Sequence, residues 1–178
     1  MQSQEKLFYT SAGRSTSIVD DLISHDPETR NQAAIRYRQW IERKYQNADA
    51  QEYSKINDEV FQLLTRLSRD TMESMHLGFL AVVDQLVDLG YQEEDRNIRI
   101  SQNLDMMIHG SYSDSMLEPL ATTLGHLLRV GNSYLSDFIE SAIADSFRIL
   151  ESSKDEYKRI LALLILKEVA DNSPTHFY

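Results

Sequence analysis

Cysteine is absent from the 178 residues. That excludes disulfides, thiolate metal sites and a cysteine nucleophile. Proline occurs three times and glycine six, and no stretch sustains the apolar–polar alternation of a half-buried strand. No Asn-x-Ser/Thr acceptor is present, and the N-terminus lacks the apolar core of a signal peptide. No run is long and uncharged enough to be a transmembrane segment, so the chain reads as intracellular and cytoplasmic. Cations are scarce as well, with 18 Lys and Arg against 28 Asp and Glu and a formal net charge of −10. A field of that sign repels phosphate backbones and anionic lipid, which argues against nucleic acid as a partner. The one basic cluster, Arg36, Arg38, Arg43 and Lys44, is interrupted by Glu42 and reads as a solvated helix face.

What is present is 42% hydrophobic, enough for a core, and its spacing is helical. The predicted class is all-α. Residues 1–14 have no clear period and read as a loose arm. Ser15 to Ser24 form a short helix with Ile18, Val19, Leu22 and Ile23 on one face. Asp26-Pro27-Glu28 is a strong start, with a cap, proline at the first helical position and an acid at the positive end of the dipole. Its stripe is Ala33, Ala34, Tyr37, Trp40, Ile41 and Tyr45. Asp49-Ala-Gln-Glu52 is a capping box leading to Tyr53, Ile56, Val60, Leu63, Leu64 and Leu67. Asp70-Thr-Met-Glu73 opens the next helix in the same way. Met72, Met75, Phe79, Val82, Val83, Leu86 and Val87 form its stripe, and Gly90 ends it.

A weaker helix runs from about Arg96 to Ile108, with Ile98, Leu104 and Ile108 inward. Another begins near Asp114 or Ser115 and reaches Val130, with Pro119 tolerable only inside its first turn. The seventh carries Leu135, Phe138, Ile139, Ala142, Ile143, Phe147 and Leu150. The last is opened by Asp155, filled by the apolar run Ile160 to Leu166 and closed by Asn172-Ser173-Pro174. It is apolar on nearly every side of its centre and must be covered on several sides.

The acids that open alternate helices are Asp26, Asp70, Asp114 and Asp155, spaced 44, 44 and 41 residues apart. A period in the low forties with two helices per unit is that of HEAT or armadillo arrays. Small residues recur early in each second helix (Ala33-Ala34, Gly78, Ala121 and Ala162) and let a partner helix approach closely. Each hairpin leaves one apolar face that the next one covers. The predicted architecture is an α-solenoid of about four hairpins, with approximate units 15–46, 49–90, 95–130 and 133–173.

Motifs that carry chemistry are few. There is no glycine-rich phosphate loop, His-Arg-Asp loop or Asp-Phe-Gly motif, and Asp137-Phe138-Ile139 lacks the glycine. No serine sits in a Gly-x-Ser-x-Gly elbow, and no His-Glu-x-x-His occurs. His25, His76, His109, His126 and His176 fall singly. Asp84 and Asp88, one turn apart, read as an exposed face. Glu73-Ser-Met-His76 has the Glu-x-x-His spacing of di-iron bundles, but the second motif such a site needs is missing.

The second helices resemble those of the N-terminal HEAT repeats of the target of rapamycin (TOR) protein kinase family. The resemblance rests on Glu28-Thr-Arg-Asn-Gln-Ala-Ala34, Gly78-Phe-Leu-Ala-Val-Val-Asp-Gln-Leu-Val87, Met116-Leu-Glu-Pro-Leu-Ala-Thr-Thr-Leu-Gly125 and Lys158-Arg-Ile-Leu-Ala-Leu-Leu-Ile-Leu-Lys-Glu-Val-Ala170. Ser173-Pro174-Thr175 and the aromatic pair Phe177-Tyr178 follow, in the family's order. Leu77-Gly78 and Leu161-Ala162 depart from the family's paired small residues, and Tyr91 to Ile100 fits its pattern poorly.

The resemblance implies a truncated, non-catalytic segment of a Ser/Thr kinase that governs growth in response to nutrients. It implies a scaffold that binds Raptor-type or Rictor-type subunits of the TOR complexes, with no cofactor and no small-molecule substrate, and peripheral association with membranes through partners. Leu164, Ile165, Phe177 and Tyr178 are the expected stacking or partner surface, exposed or covered by a second molecule. The alternatives are a stand-alone intracellular HEAT adaptor and a helical-bundle metal protein using Glu73 and His76.

Overall fold

The computed structural model describes residues 18–90, 93–131 and 133–173. Among these the chain is all-α, as expected. Its helices are α1 (Ile18–Leu22), α2 (Pro27–Gln46), α3 (Ala50–Arg69), α4 (Glu73–Leu86), α5 (Glu93–Ile108), α6 (Leu117–Val130), α7 (Ser136–Ser152) and α8 (Glu156–Asn172). Single 3-10 turns at Asp114–Met116 and Ser133–Leu135 lead into α6 and α7. The 1–14 arm, residues 15–17 of the first expected helix, and Phe177 and Tyr178 lie outside the described residues.

Local chemistry explains most boundaries. The Asp26 carboxylate accepts from the Thr29 amide at 3.0 Å, and Pro27 follows at the first helical position. At α3 the capping box is complete. Asp49 accepts from the Gln51 and Glu52 amides at 2.9 Å, and the Asp49 amide donates to the Glu52 carboxylate at 3.2 Å. Asp155 accepts from the Lys158 amide at 3.2 Å. Asp70 takes the Met72 amide at 2.9 Å, after which the Met72 carbonyl accepts from Met75 and His76. Met72 therefore stands at the mouth of α4 and is 51% exposed, not part of its buried stripe.

A helical segment begins at Asp114, as expected, as a 3-10 turn that leads into α6. Two further expectations are corrected. Gly90 does not end α4: that helix stops at Leu86, and the Leu89 amide returns to the Leu86 carbonyl. In α5 the buried face is Arg96, Asn97, Ile100, Ser101, Leu104, Met107 and Ile108, with Ile98 only half-buried. Pro119 sits within the first turn of α6, where its missing amide disrupts nothing.

The chain divides between Gln85 and Leu86 into two compact units. In the first, α2 packs against α1 and α3, around Leu22, Ile41, Leu67 and Phe79, each fully buried. Gly78 meets the end of α1: a methyl there would lie 2.7 Å from the Leu22 carbonyl oxygen. In the second, α8 packs on both α6 and α7, and α5 on both α6 and α7. First helices thus lie against first helices and second against second, the two-layer arrangement of stacked hairpins. Arg96 and Asn97, both buried, donate to the carbonyls of Leu89 and Val87 and fasten the segment that follows α4.

Candidate interaction surfaces

The expected surface on α8 is only partly where sequence spacing put it. Leu161, Ala162, Ile165 and Val169 form the buried face, so Ile165 belongs to the core, at 1% exposure. Leu164 is half-buried. The open side is carried by Leu163 at 57% and Ile160 at 38%. In α7 the buried residues are Ile139, Ala142 and Ser146, the last satisfied by its bond to the Ala142 carbonyl at 2.7 Å. This turns Phe147 outward to 48% exposure. A strict three–four count had placed it inward, because the apolar type at position 147 outweighed the small hydroxyl at 146. Phe147 and Ile160 both lie about one turn from the α7–α8 connection.

Glu73 and His76 lie one turn apart in α4, His76 buried and Glu73 half-buried. No group of three or more His, Cys, Asp or Glu side chains that could hold a metal ion occurs among the described residues. Asp137-Phe138-Ile139 is the first turn of α7. His109, at the end of α5, brings its Nδ1 to 2.8 Å from the Asp105 carbonyl oxygen and its Nε2 to 3.1 Å from the Asp145 carboxylate on α7. Both neighbours accept, and only the imidazolium donates from both nitrogens. The backbone bond to Asp105 raises the His109 pKa most; burial opposes it, and the Asp105 charge, the bond to Asp145 and the Asp145 charge add to the rise.

Sequence reasoning missed a groove in the first unit, between the second half of α2 and the first half of α3. Its volume is about 470 Å³, within the usual size of a ligand cleft. Trp40, Ile56 and Ala48 supply apolar surface, and Arg43, Lys44, Lys55, Asn47, Glu52 and Glu59 the polar rim. The Trp40 ring stacks on Tyr37 at 5.7 Å between centroids, and the Lys44 ammonium lies 3.9 Å from the Trp40 ring centre. Burial pushes the Tyr37 phenol well above its ordinary pKa, so the stacked pair stays neutral. Spacing alone places Trp40 in the core stripe; it is half-buried. The signal that could have shown this is Lys44 four residues on, one turn along the same face.

The expected solvated basic face is largely compensated. Arg36 pairs with Asp21 at 2.6 Å. Arg38 pairs with Glu42 at 2.9 Å and donates to the Gln85 carbonyl at 3.0 Å. Lys44 pairs with Glu59 at 2.8 Å. Among the described residues Arg43 donates only to a backbone carbonyl, that of Gln39, at 3.1 Å.

Three curated proteins align with nearly the whole chain. It is 26% identical over 161 residues to the serine/threonine-protein kinase TOR of Arabidopsis thaliana. It is 28% identical over 172 residues to the serine/threonine-protein kinase TOR2 of Saccharomyces cerevisiae, and 23% over 158 residues to tor1 of Schizosaccharomyces pombe. The alignments take in 89–90% of this chain but only 6–7% of those relatives. No protein-family model matches the chain, and no solved structure does. No helix among the described residues is long and apolar enough to cross a membrane.

Proposed function

We propose that this chain is a non-catalytic HEAT-type scaffold segment of a TOR-like kinase, working in the cytoplasm by docking other proteins. The observation that carries the reading is the alignment of about nine-tenths of the chain with TOR kinases. The hairpin layering of the second unit, with α6 against α8 and α5 against α7, supports it. The proposed partners are Raptor-type or Rictor-type subunits of the TOR complexes. The kinase activity in the relatives' names is assigned to the rest of such a protein, since this segment corresponds to so little of their length.

The α8 side of the second unit is the proposed stacking surface, where a following hairpin would lie. Eight of the 14 residues of α6 are buried, against four of the 17 of α8. Both are second helices of a hairpin, so the difference marks a flank that α8 leaves open at Ile160 and Leu163, with Leu164 half-buried beside them. Phe177 and Tyr178 are proposed to extend it, with Ile165 acting from beneath as core. The test is co-purification with a Raptor-type and a Rictor-type subunit. Retention of one of them at stoichiometric level is expected, and loss of both with a folded chain would refute the scaffold reading.

A further inference from the structure

The geometry points to the α2–α3 groove as a docking site for a short acidic peptide segment that carries an aromatic or large aliphatic side chain. The carboxylates of the groove are already engaged: Glu59 is bound to Lys44 at 2.8 Å, and Glu52 is turned back onto the Asp49 amide at 3.2 Å. Two of its cations are not. Arg43 and Lys55 are exposed and have no carboxylate partner among the described residues. The lining carries three cations, Arg43, Lys44 and Lys55, against two carboxylates, Glu52 and Glu59, so a chain with ten more acids than bases keeps a net positive charge beside its one tryptophan. The charge complement of the groove is anionic.

The apolar part selects what kind of anion. Trp40 presents a half-buried ring with the Lys44 ammonium over it, 3.9 Å from its centre, and Tyr37 stacked at 5.7 Å between centroids, so it is held in place before any partner arrives. Ile56, at 5% exposure, forms the floor. A cleft of about 470 Å³ accommodates one or two side chains, and an aromatic anchor ringed by charge is how small interfaces concentrate their affinity. A long phosphate polymer fits worse, because so small a positive excess offsets little of the repulsion from the rest of the chain. This inference stands on the first unit alone and does not depend on the kinship to TOR kinases.

Trp40 is the only tryptophan, so its fluorescence reports the groove directly. The probe is a short peptide of Asp and Glu around a central Phe, titrated into the full chain. A saturable shift of Trp40 emission that weakens with added salt is expected. The same peptide with Ala for Phe, or with Lys for the acids, should give about tenfold weaker binding or none. The double variant Arg43→Glu with Lys55→Glu changes two exposed side chains and should leave the helical circular dichroism intact while weakening binding at least about tenfold. Absence of a saturable shift, equal binding of the three peptides, or undiminished binding by a folded double variant would overturn the proposal. So would tighter binding of single-stranded DNA or anionic vesicles than of the Phe-containing acidic peptide.

Discussion

Replacing Gly78 by alanine sets two effects of known sign against each other. Gly78 lies inside α4 and is buried. In a helix interior, alanine is favoured over glycine by about 1 kcal/mol. If the site had room, Gly78→Ala would therefore stabilise the fold. It has none: the new Cβ would stand 2.7 Å from the Leu22 carbonyl oxygen and 3.3 Å from its carbon. These are backbone atoms at the end of α1, and the Leu22 side chain is itself fully buried, so no rotamer change relieves the contact. One helix must move by roughly half an ångström, and overpacking of this kind costs about 1–3 kcal/mol. The net expectation is a loss of about 1 kcal/mol, or a fall in Tm of about 2–4 °C for a chain of this size. Gly90→Ala is the control. Nothing lies within 4 Å of its added methyl and its backbone is outside the left-handed region, so a gain of about 0.5 kcal/mol is expected from the stiffer unfolded chain. Thermal melts followed by circular dichroism separate the two. If both variants raise Tm, the close approach of α1 to α4 is not real.

The remaining expectations concern the second unit. Asn97, fully buried, donates to the Val87 carbonyl at 3.0 Å. Asn97→Ala strands that acceptor and should lower unfolding stability by about 2 kcal/mol in urea titration; an unchanged midpoint would count against the fastening role. The His109 pKa is raised, so its contribution is complete below the ordinary histidine value of about 6.5 and is lost as pH rises through the folded value. The ring is 46% exposed, and screening limits the effect to a few tenths of a kcal/mol. Proton NMR should show the His109 titration moving back toward the ordinary value in Asp145→Asn, and no movement would remove Asp145 from the account. Replacing Ile160 and Leu163 by serine should change stability by no more than about 0.5 kcal/mol while reducing self-association in light scattering. Ile165→Ala, one turn away, should cost about 2–5 kcal/mol.

Much of this fold is legible from residue type because helix starts are local events. Asp26, Asp49 and Asp155 each act as the cap that their spacing announced, since a carboxylate finds free amides two or three residues on wherever a helix begins. Buried faces were readable wherever the small residue of a stripe was also apolar, as at Ala33, Ala34, Ala121 and Ala162, all within 2% of full burial. Reading failed where polarity and burial part company. Arg96, Asn97, Ser101 and Ser146 are buried because each finds a backbone carbonyl, and no count of apolar residues can foresee such a partner. The same blindness hid the groove. Trp40 fits a core stripe by type, and only the path of α3 decides that part of its ring remains open.

The two candidate surfaces differ in a way that assigns them different occupants. On α8 the open residues are aliphatic, Ile160 and Leu163, on a helix whose sister α6 is covered far more completely. A flank of that composition is suited to another helix, since an aliphatic row gains mainly from close packing and area removed from water, at about 25 cal/mol per Å². The α2–α3 groove instead sets a single aromatic ring among charges, and the net charge of its lining is positive. Its affinity would come from one anchored side chain and its selectivity from the acids beside it, with a dependence on salt that the aliphatic flank should lack. Added salt therefore separates the two: it should loosen an acidic peptide from Trp40 and leave self-association through Leu163 unchanged or stronger. A single surface responsible for both kinds of binding would respond to salt in one direction only.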